Sequence, residues 1–422
     1  MPVVAPPVKN GAVLVDEGRV IAVGTRHALD APHARHVDLA DAILLPGLIN
    51  AHAHLELTSL RGLVAVKPFP RWVGTIRRVK ELLGSGDYRA ASRWGVLEHF
   101  AAGVTTIGDT GSSMEPARAM AELGARGVAF HEVFGPDPAQ AASSMEGLHR
   151  ALDDLSACSS ERLAIGVSPH APYTVSAELL RRVGDHAAAS SLNVAMHVAE
   201  SPEETAFVRD GAGPFAENLR RRGITVSPRR LSPVRWALEH GLGEVEPLLI
   251  HCVHTDAADL EAISLAAGSI AHCPWSNEAL GVGTAPLASF LDHEITTGIG
   301  TDSVAAGREI DLFAELRAAA PLAPLGAGRL LALATVDAAR ALGVSDAGLI
   351  EPGAWADLCA VALGDVDDPI AAIVRRARAA DVTHTWVAGR LVYERGSWPG
   401  IDAAAERAAL AVAENNARRA VG

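Results

Sequence analysis

A chain of 422 residues, 49% hydrophobic and 21% charged, has room for one large barrel-type domain with a smaller companion, or for two ordinary domains. Its net charge of −13 argues against nucleic acid or an anionic membrane surface as partner, since both repel an acidic protein. The four cysteines, Cys158, Cys252, Cys273 and Cys359, lack C-x-x-C spacing, so they read as reduced thiols and not as a disulfide frame or a thiolate zinc site.

The opening MPVVAPPVKNG carries neither the charged leader nor the apolar stretch of a secretion signal. No apolar run approaches the roughly 20 residues that span a bilayer, and a cytoplasmic protein is expected. Short strand-like pieces with Gly at their turns follow, GAVLVDEGRVIAVG and AILLPG, and similar pieces return late in the chain as ADLCAVAL and THTWVAGRLVYERG. Between these flanks eight apolar runs alternate with segments of helical length. The runs are LPGLINAHAH, GVTTIGDTG, GVAFHEVFGP, LAIGVSPHAP, LNVAMHVAES, PLLIHCVHTD, GSIAHCPWSN and TTGIGTDS. Helices are expected over DYRAASRWGVLEHFAAG, PARAMAELGARG, VSAELLRRVGDHAAASS, AADLEAISLAAG and EIDLFAELRAAAP.

Eight buried strands, each covered by its own crossover, predict an α/β fold: a (β/α)8 TIM barrel with a small β-sandwich domain built from both chain termini. The expected boundaries are 1–46 and 346–400 for the two parts of the small domain, 47–345 for the barrel and 401–422 for a terminal helix.

His52 and His54 end the first run. With 17 histidines in the chain, one His-x-His pair arises about 0.7 times by chance, so the pair alone says little. More specific is the recurrence. Asp109, His131, His170, His197, His251, His272 and Asp302 end the seven later runs, and in a barrel the C-terminal strand ends open onto one mouth. Residues i and i+2 of a strand share a side, so His52 and His54 can both face that mouth. Three neutral imidazoles and a carboxylate suit a borderline cation such as zinc, and His52, His54, His197 and Asp302 are assigned as ligands. Iron and manganese accept the same set. Bound Zn²⁺ would lower the pKa of its water to about 7.

The motifs PGLINAHAHLE with LRG after it, SPHAPYTVS, MHVAES, HCVH, AHCPWSN and GIGTDS resemble the amidohydrolase superfamily, in its branch of nucleoside and base deaminases and triazine chlorohydrolases. The resemblance extends to the terminal β pieces and to GLIEPGAWADLCAV. It implies one metal ion, the same four ligands, and three catalytic roles. Glu200 would shuttle the proton, His251 would orient the water and the tetrahedral centre, and Asp302 would accept the water proton while serving as ligand. The fourth strand ends SPHAPY, without the lysine that two-metal members carboxylate, which favours ring deamination by one metal.

His170 matches a family position that contacts the sugar of nucleoside substrates, and Trp275 and Asn277 follow the seventh strand, where a ring pocket would lie. The segment LRGLVAVKPFPRWVGTIRRVKELLG is expected either as a substrate lid, with Arg61, Arg71 and Trp72 closing on an anionic group, or as a solvated amphipathic helix over RWVGTIRRVKELL. HAHLEL, LRG and F-x-RWV-x-x-I look like the aminodeoxyfutalosine deaminases of menaquinone biosynthesis. Deaminases of S-adenosylhomocysteine and methylthioadenosine share most of these residues, and triazine chlorohydrolases use nearly the same site. A catalytically silent scaffold is disfavoured because every ligand and the shuttle are present. The expected partner is a small heteroaromatic or nucleoside substrate. The oligomer is not fixed, although barrels of this size often pair as homodimers through exposed helices.

Overall fold

The computed structural model describes residues 5–29, 31–64 and 67–421; the first four residues of the opening segment and residues 65 and 66 of the expected lid lie outside them. Fourteen strands form among the described residues. Of these, β1 (Gly11–Asp16), β2 (Arg19–Thr25) and β3 (Ala42–Pro46) precede the barrel. The barrel strands are β4 (Leu48–Ala53), β5 (Val104–Gly111), β6 (Arg126–Val133), β7 (Leu163–Pro169), β8 (Ala195–Val198), β9 (Leu248–His251), β10 (Ser269–His272) and β11 (Thr297–Ile299). After it come β12 (Leu358–Ala362), β13 (Val382–Val387) and β14 (Arg390–Glu394).

Two parallel half-barrels, β4-β5-β6-β7 and β8-β9-β10-β11, close on each other through single bridges, Val167 to Val194 and Ala53 to Asp302. At the second seam the Asp302 N–H donates to the His52 carbonyl at 3.0 Å. Glycine makes this seam possible: a Cβ on Gly300 would lie 2.8 Å from the His52 nitrogen and 2.9 Å from the His52 Cβ. Ile49, Ala51, Val128, Phe130, Ala195, Leu248, Ile250 and Ala271 fill the barrel interior, so the mouth stands on a packed floor.

At the other end of the chain β14-β13-β12-β3 form an antiparallel sheet, and the β1–β2 hairpin joins it through a bridge from Arg19 to Trp355. The sheet is tied to the barrel by a buried ion pair, Arg126 Nε to Asp357 Oδ2 at 2.5 Å, with the Arg126 guanidinium over the Trp355 ring. The terminal helix Ala403–Val421 lies on the helix Ser85–Ala101, where Arg93 grips Glu406 at 2.6 Å.

The segment expected as lid or helix contains a helix, Phe69–Leu82, with Phe69, Trp72, Ile76 and Val79 on its buried face. Helices also occupy Pro202–Asp210 and Gly213–Arg221, where the sequence reading placed none. The first has a legible start and stop: Ser201 caps it by accepting the Glu204 N–H, Pro202 is its first residue, and Gly211 ends it at φ 63°. No helix among the described residues is long and apolar enough to cross a membrane.

Candidate active site

Strand phase decides which chain-end residues reach the mouth. In β4, Ile49 and Ala51 point inward, so His52 should point outward. A β-bulge prevents that: Asn50 to Ala53 of β4 span only Ile107 to Asp109 of β5. The extra residue turns His52 and His54 to one side, their rings 4.8 Å apart at 82°. In β8, His197 follows the inward phase of Ala195 directly. His251 and Asp302 sit at φ 73° and 57°, conformations that non-glycine residues seldom adopt and that occur at functional strand ends.

Not every strand-end residue follows. His131 is in phase with Ala129 and Val133, which pack into the outer core, while Glu132 beside it faces inward with Val128 and Phe130. His272 is likewise out of phase with Ala271 and Cys273, and its ring meets Phe290 of the helix Leu287–Asp292. Asp109 accepts the Leu55 N–H at 2.7 Å and anchors the turn that follows His54. The uniform phase expected from sequence thus breaks at three strands.

The rest converge. His52 Nε2 and His54 Nε2 lie 3.3 and 3.4 Å from the same Asp302 oxygen, Oδ1, and His197 Nε2 lies 3.3 Å from His54 Nε2. Ligand atoms of His52, His54 and His197, and of His52, His251 and Asp302, fall within 4.8 Å of one another. His54 Nδ1 donates to the Thr110 carbonyl at 2.8 Å and His197 Nδ1 to the His170 carbonyl at 3.1 Å. Those bonds fix both tautomers and leave both Nε2 lone pairs aimed at one point, as carbonyl partners of metal-binding histidines do. Buried His52 has no hydrogen-bond partner on either ring nitrogen. A divalent cation would satisfy that orphan, and the donor set fits one.

Around this centre the electrostatics divide into two carboxylates of opposite habit. Burial works to raise Asp302, but the close approach of the His52 ring at 3.3 Å, with His251 and His54 beside it, holds it below the usual carboxylate range. Glu200 lies well above that range because burial, then the charges of Asp302 and Glu204, disfavour its ionised form. Glu200 Oε1 faces His251 Nε2 at 3.5 Å. On its other side His251 Nδ1 donates to Asn277 Oδ1 at 3.0 Å, and burial lowers the ring to about 4.

The expected substrate contacts scatter. Asn277 orients His251, while Trp275 donates its backbone N–H to Glu315 at 3.1 Å and lies under the Arg308 guanidinium. Arg61 is paired with Glu98 at 2.5 Å. Arg71 lies on the outer face of its helix, lining a surface groove with Thr75, Arg78 and Val421. Trp72 begins an aromatic row on the inner face. It stacks on Phe69, Phe69 meets Phe215, Phe215 stacks on Tyr173 at 3.9 Å, and Tyr173 meets the His170 ring.

Sequence reasoning missed a second layer of charge. Glu204 accepts the N–H groups of Ala199 and Glu200 at 2.8 and 2.9 Å. The spacing Ser201-x-x-Glu204, a capping-box signature, was the available signal. Lys80, from the helix Phe69–Leu82, reaches Glu56 at 2.6 Å and Glu132 at 3.4 Å. Nothing in the local sequence marks Lys80 or Glu132 apart from surface charges.

A family model described as the amidohydrolase family matches residues 43–392. The chain belongs to the amidohydrolase family. Within it the chain is 31% identical to a 5-methylthioadenosine/S-adenosylhomocysteine deaminase of Pelotomaculum thermopropionicum, over 98% of this chain and 94% of the relative. An adenosine deaminase of Xanthomonas campestris with bound zinc shares its structure at TM-score 0.87 and 25% identity, covering 99% and 97% of the two chains. A Helicobacter pylori aminofutalosine deaminase matches at TM-score 0.82 and 20% identity, covering 91% of this chain and 95% of that one.

Proposed function

We propose that this amidohydrolase is a zinc-dependent deaminase that exchanges the 6-amino group of an adenine nucleoside for oxygen and releases ammonia. The observation that carries the reading is the convergence of His52, His54, His197 and Asp302 beside the buried carboxyl of Glu200. The nearly full-length relative named for methylthioadenosine and S-adenosylhomocysteine favours 5′-substituted adenosines as substrate class. Aminodeoxyfutalosine, the substrate expected from sequence, belongs to the same class.

Residues 52, 54, 197 and 302 would hold the cation, which when bound supplies hydroxide near neutral pH from a water whose pKa falls to about 7. Glu200 enters the cycle protonated and donates to a ring nitrogen next to the C–NH₂ carbon, which makes that carbon electrophilic. Burial, which raises its pKa, favours the proton-bearing form that this step needs. The carboxylate of Asp302 takes the proton of the attacking water, helped by Ser276, whose hydroxyl donates to Oδ2. His251, held by Asn277, presents Nε2 to the oxygen of the tetrahedral carbon. The proton collected by Asp302 passes to the amino group, which leaves as ammonia, and solvent returns a proton to Glu200.

Adenosine, methylthioadenosine, S-adenosylhomocysteine and aminodeoxyfutalosine, assayed with wild type and Glu200→Gln, test this. Wild type should release ammonia from at least one of them with loss of the adenine absorbance band. Glu200→Gln should keep its metal and lose kcat by about 10²- to 10⁴-fold. No turnover on any nucleoside would refute the substrate class, and full activity of the variant would remove Glu200 from the chemistry.

A further inference from the structure

Glu132 is 4% exposed and stands at the end of β6 with its two oxygens in different circumstances. Oε2 faces the Lys80 ammonium at 3.4 Å, and Lys80 is itself held by Glu56, which accepts the Ser112 and Ser113 N–H groups at 3.1 and 2.9 Å. Oε1 has no hydrogen-bond partner. His170 Nε2 lies 3.9 Å from it, too far to bond.

The tautomer of His170 follows from its own partner. Thr174 spends its single hydroxyl proton on the Ala171 carbonyl at 3.0 Å, so at 2.9 Å it accepts from His170 Nδ1. The ring therefore turns Nε2, a lone pair, toward Glu132. The buried Glu132 oxygen and the half-buried His170 Nε2 thus face each other as two acceptors, and both lie within 4.8 Å of the His197 ligand atom. Such a pair is costly unless something with two adjacent O–H donors fills the gap.

A second cation is the competing occupant, since Glu132, His170 and His197 could in principle share one. His197 has no atom left for it. Its Nδ1 is spent on the His170 carbonyl and its Nε2 converges with His54. Lys80 already supplies the positive charge that Glu132 requires.

Resting on the deaminase reading, we propose that Glu132 is a specificity-determining residue whose free carboxylate oxygen, with His170 opposite, accepts hydrogen bonds from neighbouring hydroxyls of the substrate sugar. Lys80 keeps the carboxylate ionised and aimed. The enzyme then selects nucleosides with an intact vicinal diol over their deoxy counterparts, because a missing hydroxyl leaves a buried acceptor unpaired.

The test compares adenosine, 2′-deoxyadenosine and 3′-deoxyadenosine as substrates of wild type and Glu132→Gln, with metal content measured on both. Wild type should favour adenosine over at least one deoxy analogue by about 10- to 100-fold in kcat/KM. Glu132→Gln should lose that factor on adenosine, change little on the disfavoured analogue, and retain its metal. Should Glu132→Gln not fold, Glu132→Asp keeps the charge beside Lys80, shortens the reach, and should compress the same ratio. A variant that preserves the wild-type discrimination, or one that sheds a second equivalent of metal, overturns the proposal. A wild-type chain inactive on all three and on the 5′-substituted panel would instead overturn the deaminase reading on which it stands.

Discussion

Ala199 sits at φ 52°, a left-handed conformation that costs a residue with a side chain on the order of 1–3 kcal/mol and yet directly precedes Glu200. The cost is met by Glu204, which takes the N–H groups of residues 199 and 200 on its two oxygens and so fixes where the next side chain points. Glutamine at 204 would offer one acceptor and press an NH₂ group against the other N–H. Glu204→Gln is therefore expected to lower kcat by about tenfold or more with KM nearly unchanged and metal retained. Combined with Glu200→Gln it should add far less than the sum of the two effects, since it acts through that residue. Additive losses in the double variant would make Glu204 a merely structural group.

At this scale the sequence reveals types better than aims. The histidines and Asp302 announce themselves by chemistry and by their place after apolar runs. What turns them inward does not: the bulge in β4 and the positive φ at residues 199, 251 and 302 leave no local signal in NAHAH, VAES, HCVH or GTDS. For the same reason the sequence points to His131 at the mouth where the structure has Glu132. One step of strand phase exchanges them.

At the scale of elements, the helix Phe69–Leu82 is held to the barrel by two unlike attachments. Trp72, Ile76 and Val79 bury its inner face, and Lys80 carries a charge inward to Glu56. The periodicity of RWVGTIRRVKELL makes the helix legible, but arginine-rich helices of this kind are usually solvated, so the inward lysine had to be seen. Glu56 yields a pH prediction. Burial opposes its ionisation, but Lys80 and the Ser113 and Ser112 donors win and hold it at about 2, against an ordinary 4.5. A depressed carboxylate stabilises the folded state above its unfolded pKa, and that stabilisation is lost as pH falls from about 4.5 toward 2. The difference is on the order of 3 kcal/mol. In urea titrations at pH 6 and pH 3, Glu56→Gln should start less stable than wild type and lose less on acidification. Parallel losses in the two proteins would dissociate Glu56 from acid sensitivity.

Across the whole molecule the architecture follows from alternation. Eight apolar runs separated by helical segments admit few arrangements other than a closed parallel barrel, and strand pieces at both termini have only each other to pair with. The helices at Pro202–Asp210 and Gly213–Arg221 were harder to foresee because prolines and glycines, normally breakers, here start and stop them. Closure of the barrel brings β4 and β11 into contact, and with them His52 and Asp302. Both half-barrels contribute to the centre, so a cation bound there should stabilise the fold as well as the reaction. The most direct measurement is the metal content of protein purified without chelator, for wild type, His197→Ala and Asp302→Asn. We expect one divalent ion per wild-type chain, a fall of about tenfold or more in both folded variants, and loss of turnover with the metal. Wild-type protein that is folded, active and free of metal would contradict the account.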